Sequence, residues 1–135
     1  TIGTLNRSYS FLYNLIFRRQ MPIDIPSKLI LSKNTLGESI SLFLAIVILV
    51  PIIEEIFFRG FVYPCFKKYM GVLGAIIISA IFFSLFHFNL IYFVPLLVIG
   101  IVLAYVYEKT NSLIPVTTIH ILNNFLIFAL LYIFK

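Results

Sequence analysis

The feature that most constrains the fold is a long apolar run that ends on three charged side chains. Residues 40–53 contain no charged residue, and they lead directly into Glu54, Glu55 and Arg59. A charge within a bilayer costs roughly 3 kcal/mol or more unless it is paired or hydrated, so such groups usually face a cavity and have a function there. These three residues are therefore the first candidates for a functional site.

The composition is that of a membrane protein. The chain has 135 residues, of which 61% are hydrophobic and 11% charged, and its mean hydropathy is +1.09. A soluble domain is about half apolar and a quarter charged. The net charge of +5 comes largely from lysines and arginines that flank apolar runs. This placement favours membrane lipid as a partner and argues against nucleic acid. The single cysteine excludes an internal disulfide.

The apolar runs predict an all-α, polytopic membrane helix bundle with about four transmembrane helices. The spans are expected at residues 36–63, 72–88 and 91–107 and from a Ser112 cap to residue 134. Short loops between them make neighbouring helices antiparallel. The bundle core is expected to occupy residues 37–135.

Two local signals shape the first predicted span. Thr35 and Glu38 match a capping box at its start. Pro51 lies inside it, where proline removes the hydrogen bond to the Val47 carbonyl and favours a kink. The kink would fall one turn before Glu54.

Residues 1–36 are expected to form an N-terminal interfacial segment and linker. An apolar face around residues 11–16, followed by Arg18 and Arg19, is too short to span a bilayer and predicts an amphipathic helix on its surface. The alternative is the frayed end of a further helix. Pro22 and Pro26 favour a linker over residues 20–34.

Nearly all polar side chains within the predicted spans fall into three clusters: Glu54, Glu55 and Arg59; His87; and His120 with Asn124. Glu55 and Arg59 are four residues apart, so they can pair within one helix. That pairing leaves Glu54, which is rotated by about 100°, free to act. His120 and Asn124 share one face of their helix for the same reason.

Such a set of side chains can hydrolyse an amide. Glu54 would be the general base towards a water, and His87 would share that water. His120 and Asn124 would donate hydrogen bonds to the oxyanion. Alternatively Glu54, His87 and His120 would ligate zinc and leave one position open for the water. The residue pattern is compatible with both.

Structural explanations exist for most of these residues taken singly. A histidine or asparagine in a membrane helix more often forms an interhelical hydrogen bond than binds a ligand.

The expected depths of the site residues differ. At about 1.5 Å per residue, Glu54 lies roughly 20 Å from the Lys67 end of its helix, whereas His120 lies only about 10 Å from Ser112, on the same side of the membrane. The two depths agree only if the helices tilt or the turn at residues 108–114 enters the bundle.

The three clusters resemble the motifs of the CPBP family of intramembrane proteases, also called the Abi or CAAX-protease family, which includes the type II CAAX prenyl endopeptidases. Its motifs are E-E-x-x-x-R, F-x-x-x-H and H-x-x-x-N. The chain carries, in this order, Glu54-Glu55-x-x-x-Arg59, Phe83-x-x-x-His87 and His120-x-x-x-Asn124. Members of the family often have more helices before the first motif than this chain contains.

The resemblance implies a multi-pass membrane endopeptidase that cuts a membrane-associated or lipidated protein or peptide, in a bacterial cell membrane. Glu54 would match the water-activating glutamate, His87 its partner, and His120 with Asn124 the oxyanion-stabilising pair. Glu55 and Arg59 would match the supporting acid and base. The family has been described both as metalloproteases and as glutamate-dependent enzymes, so the metal question stays open. Prenyl-protein members cut after a lipidated cysteine, and some bacterial members are associated with bacteriocin immunity.

Two other functions remain compatible with the sequence. One is a noncatalytic immunity or scaffold protein that keeps the protease fold. The other is an ion- or proton-translocating subunit that uses the buried acids as its site.

Overall fold

The computed structural model describes residues 25–32 and 35–133, which form helices joined by short turns, with no strand among them. The all-α fold predicted from the apolar runs is confirmed. The elements in chain order are α1 (Ile25–Leu31), α2 (Leu36–Phe43), the π-helical segment π1 (Leu44–Leu49), α3 (Val50–Phe57), the π-helical segment π2 (Phe58–Val62), α4 (Tyr63–Leu85), α5 (Phe93–Thr110) and α6 (Leu113–Ile133).

Three continuous helices in the described part of the chain are long and apolar enough to cross a membrane: Leu36–Leu85, Phe93–Thr110 and Leu113–Ile133. The first contains 50 residues. A straight helix of that length would measure about 75 Å, more than twice the thickness of a hydrocarbon core. It therefore has to turn back to fit a bilayer.

The reversal lies at Gly71, which has φ 70° and ψ −174° inside α4. This conformation is unfavourable for residues that carry a side chain, whereas glycine adopts it readily. The chain on either side packs together, with Tyr63 against Ala75 and Ile76. We call residues 36–70 the first arm and residues 72–85 the second arm. The two arms, α5 and α6 occupy the stretches in which the sequence predicts four spans.

The start of the first arm follows the predicted capping box. The Thr35 N–H donates to Glu38 Oε2 at 2.7 Å, and the Glu38 N–H donates to Thr35 Oγ1 at 3.3 Å. Further along, Pro51 is accommodated by the wider π1 turn, in which the Val50 N–H donates to the Ala45 carbonyl. A π-helical turn often marks a functional position in a helix.

Residues 25–31 form a helix, so the prediction of a linker over residues 20–34 was wrong for this stretch. Pro26 lies in the first turn, where its missing N–H costs nothing. Ile30 is buried against Val47 and Phe128, and this apolar contact stabilises a segment too short to be helical alone. The predicted interfacial helix around residues 11–19 lies outside the described residues.

The second arm and α5 approach each other closely at Gly100. A Cβ built there would lie 3.0 Å from the Ala80 Cα and 3.1 Å from its Cβ. We expect Gly100→Ala to destabilise the protein by about 1–3 kcal/mol, because a helix backbone must shift to admit the methyl group. Equilibrium unfolding in mixed detergent micelles measures the change.

Gly37→Ala is the matched control for this substitution. Gly37 lies in α2, and nothing comes within 4 Å of a Cβ built there. Alanine should therefore stabilise the helix at that position, because it is the better helix former. Equal destabilisation by both substitutions would contradict the close packing at Gly100.

Candidate active site

The centre of the bundle contains a fully buried ion pair. Arg59 Nη1 donates to Glu55 Oε1 at 2.9 Å, and neither side chain is exposed. Arg59 Nη2 donates to the Gly100 carbonyl at 3.0 Å, and the guanidinium carbon lies 4.8 Å from the centre of the Phe83 ring. The predicted pairing within the helix is confirmed, and it also ties the first arm to α5.

His120 is the second partner of Glu55. Its Nδ1 lies 2.7 Å from Glu55 Oε1. The carboxylate already accepts from Arg59, so Nδ1 is the protonated nitrogen and donates the hydrogen bond. In the neutral ring Nε2 then carries the lone pair, and Nε2 is the atom that faces Glu54.

The depth of His120 is explained by the level at which α6 begins. Glu108 Oε2 accepts from the Tyr63 hydroxyl at 2.6 Å and from Lys67 Nζ at 2.7 Å. α6 then begins at Leu113, whose Cδ1 lies 3.8 Å from a Cβ built on Gly60. Measured from that contact, His120 and Glu54 are each about 10 Å further along their helices.

His87 lies two residues beyond the end of α4, whereas the sequence predicted a helix that continued to residue 88. Phe88 takes a positive φ of 50°, which ends the helical path. His87 Nδ1 lies 2.7 Å from the Phe83 carbonyl. A carbonyl can only accept, so Nδ1 is protonated and Nε2 carries the lone pair in the neutral ring.

The two imidazoles present the same nitrogen to Glu54. Oε1 of Glu54 lies 4.0 Å from His87 Nε2, and Oε2 lies 3.6 Å from His120 Nε2. Both distances are too long for a direct hydrogen bond. The Glu54 side chain is 24% exposed, whereas the side chain of Glu55 is fully buried. Glu54 is therefore the accessible acid of the adjacent pair.

Asn124 lies on the same face of α6 as His120. Its Nδ2 donates to the Ile46 carbonyl at 3.1 Å, and its Oδ1 lies 3.4 Å from Asn123 Nδ2. These partners assign the amide, because a carbonyl requires a donor. The second hydrogen on Nδ2 is not used by the Ile46 contact.

A cavity of about 480 Å³ is lined by all four candidate catalytic residues. This volume lies within the range of small-molecule and peptide side-chain pockets. The polar residues of its lining are Glu54, His87, His120, Asn123 and Asn124, together with Ser27, Asn89 and Tyr92. The remaining lining is mainly aliphatic, aromatic and proline side chains, including Ile30 and Pro26 of α1.

The zinc alternative was tested on the positions of the donor atoms. His87 and His120 offer nitrogens of the type that zinc binds. Within the described residues, however, no group of three or more His, Cys, Asp or Glu side chains is arranged to hold a metal ion. The described side chains therefore do not form a ready metal site.

Sequence reasoning missed three contributions to this site. It gave the Phe83 ring no role at the site, and this buried ring lies 4.8 Å from that of His87 and 5.6 Å from that of His120. It could not find the carbonyls of Ile46 and Gly100, because backbone groups leave no signal in the residue type. It also missed the wall formed by α1, since two prolines suggested a linker.

Comparison with protein families shows which family the chain resembles. Residues 36–126, about two thirds of the chain, match the family model described as Type II CAAX prenyl endopeptidase Rce1-like. Comparisons with curated proteins and with solved structures gave no significant match. The chain belongs to the Rce1-like type II CAAX prenyl endopeptidase family, as its three motifs predicted.

Proposed function

We propose that this member of a membrane-protease family is an endopeptidase that hydrolyses a peptide bond with a water held by Glu54 and His87. The observation that carries the proposal is the convergence of His87 Nε2 and His120 Nε2 on the two oxygens of Glu54, at 4.0 and 3.6 Å, on the wall of a cavity. The first arm, the turn after α4 and α6 supply these atoms.

The spacing supports a water as the missing partner. Glu54 Oε1 and His87 Nε2 are 4.0 Å apart, so one water can lie within hydrogen-bond distance of both. Both atoms accept, and a water has two hydrogens to donate. Glu54 takes one proton as the oxygen attacks the peptide carbonyl, and the leaving amine then receives a proton from Glu54.

The oxyanion would lie towards α6. Asn124 has the second hydrogen of Nδ2 to offer, and His120 can donate from Nε2 when it is protonated. Its Nδ1 is held by Glu55, and its Nε2 faces Glu54 at 3.6 Å. Preorganised donors of this kind stabilise the charge that develops in the transition state.

The substrate would be a peptide with an apolar attachment, such as a prenylated cysteine. Most of the cavity lining other than its polar residues is apolar, including Leu96, Ile99 and Leu131. An aliphatic chain gains free energy against that surface in proportion to the area it buries. The peptide bond next to it would then reach Glu54.

The test uses the protein in liposomes and two peptides of one sequence, one ending in an S-farnesylated cysteine with three further residues and one without the lipid. We expect cleavage after the lipidated cysteine and a markedly lower kcat/KM for the unmodified peptide, measured by mass spectrometry of the products. Cleavage of neither peptide would contradict the substrate class. If a chelator abolished cleavage and added zinc restored it, the attacking water would be bound to a metal and not free.

His87→Asn is expected to lower kcat about 100-fold, which is within the range for loss of a group that assists proton transfer. Asparagine keeps a donor for the Phe83 carbonyl, whereas it lacks an atom at the position of Nε2. The melting temperature in detergent should therefore stay within a few degrees of the wild-type value. Wild-type kcat in this variant would remove His87 from the reaction.

Two rival functions predict different results in the same liposomes. An immunity or scaffold protein would cleave no peptide, and its Glu54→Gln variant would keep the immunity or the partner binding. An ion- or proton-conducting subunit would collapse a pH gradient across the liposome membrane and lose this activity in Glu54→Gln.

A further inference from the structure

We infer that Pro51 and the π1 turn are a positioning device for Asn124. Together they leave the Ile46 carbonyl without a backbone donor, and that carbonyl orients the Asn124 amide towards the cavity. The inference rests on the proposed function for its effect on catalysis. The hydrogen bond itself is independent of any activity.

The first step is the count of donors available to the Ile46 carbonyl. In an α-helix its donor would be the N–H of Val50, and in a π-helix the N–H of Pro51. The Val50 N–H donates to the Ala45 carbonyl instead. Pro51 has no N–H. The Ile46 carbonyl therefore has neither its α-helical donor, Val50, nor its π-helical donor at residue 51.

The second step is the group that replaces the missing donor. Asn124 Nδ2 donates to the Ile46 carbonyl at 3.1 Å, across 78 positions in sequence. An unpaired carbonyl in the interior of a membrane protein is unfavourable, so this contact is favoured. The bond joins α6 to the first arm at the cavity wall, since both Ile46 and Asn124 line the cavity.

The third step is the consequence for the free hydrogen of Asn124. With one hydrogen bound to Ile46 and Oδ1 near Asn123 Nδ2, the plane of the amide is held at both ends. Without these contacts the amide would sample several rotamers. A donor held in advance costs no reorganisation when the oxyanion forms. Pro51 is thus a positioning residue that acts through Asn124.

Pro51→Ala tests the device, because alanine restores an N–H. Either the π1 turn stays and residue 51 donates to the Ile46 carbonyl, or the turn becomes α-helical and Val50 does so. We expect kcat for the farnesylated peptide to fall about tenfold with KM within twofold of wild type. The melting temperature should change little, because the loss of the buried proline ring opposes the gain from alanine as the better helix former.

Pro64→Ala is the matched control. Pro64 also follows a π-helical segment by two residues, yet it is exposed and lies outside the cavity lining. Its replacement should leave kcat unchanged. A general effect of proline removal on this helix would lower kcat in both variants, and that result would overturn the inference.

A double-mutant cycle separates action through Asn124 from any other route. In an Asn124→Ala background, Pro51→Ala should cause no further loss of kcat, because the donor that it misplaces is already absent. Additive losses in the double variant, or wild-type kcat in Pro51→Ala alone, would overturn the positioning role.

A second readout does not use activity. In protein labelled with ¹³C at isoleucine carbonyls and ¹⁵N at asparagine side chains, solid-state NMR in liposomes should show one Ile–Asn contact that disappears in Asn124→Ala and in Pro51→Ala. Persistence of that contact in Pro51→Ala would overturn the inference. If the wild type cleaves no peptide but the contact is lost as expected, the proposed function fails and the assignment of the carbonyl stands.

Discussion

Glu54→Gln is expected to lower kcat for peptide cleavage about 1,000-fold without unfolding the protein. Glutamine has the shape of glutamate but cannot take a proton from water at neutral pH, and loss of a general base typically costs 10²–10⁴-fold. The fold should survive because no direct hydrogen bond of Glu54 to His87 or His120 is lost, since the closest of these distances is 3.6 Å. Single-turnover cleavage in liposomes, with thermal melting in detergent, measures both effects.

Glu38→Gln is the matched control for this prediction. It makes the same chemical change in the same arm, and glutamine can still complete the capping box with Thr35. It should cleave at the wild-type rate. If Glu54→Gln kept wild-type activity while Glu38→Gln did so as well, Glu54 would not be the base. Loss of activity in both would point to a structural effect of changing carboxylates in this arm.

The pairing of Glu55 with Arg59 was predictable because it depends on helix geometry alone. Residues four apart on one helix lie side by side, and the bilayer makes an unpaired charge costly. The capping box and the cap at Ser112 have the same local origin, and Ser112 Oγ does accept from the Ile114 N–H at 3.3 Å.

The features that the sequence left open depend on contacts between distant segments. The depth of His120 rests on Glu108, which draws the end of α5 towards Tyr63 and Lys67. Residue types at 108–114 indicate a polar turn but not how deeply it lies. Similarly, Pro51 predicted a kink, and the structure has a π-helical turn whose effect depends on a side chain 78 positions away from Ile46.

The role of His120 also depends on a contact between distant segments. The motif spacing groups His120 with Asn124, whereas the shortest contact of His120 is to Glu55. Because one carboxylate oxygen binds both Arg59 and His120, the supporting acid also orients a ring of the candidate site. A sequence pattern cannot distinguish an acid that neutralises an arginine from one that in addition fixes a tautomer.

Arg59→Ala is expected to destabilise the protein by about 3–5 kcal/mol, the usual cost of removing one partner of a buried ion pair. The change would leave the Glu55 carboxylate without its cation and the Gly100 carbonyl without its side-chain donor. Both groups are buried, so water cannot readily replace the guanidinium. Equilibrium unfolding in mixed micelles with increasing SDS measures the free energy.

Two comparisons test whether the buried charge of Glu55 causes the loss of stability. Lys67→Ala removes the cation of the pair with Glu108, in which the lysine is partly exposed, and should change stability little. Glu55→Gln combined with Arg59→Leu removes both charges and should be more stable than Arg59→Leu alone, because no uncompensated charge remains buried. If the double variant were the less stable of the two, the Glu55 carboxylate would be compensated by its remaining partner His120, and an unpaired buried charge would not be the cause of the loss.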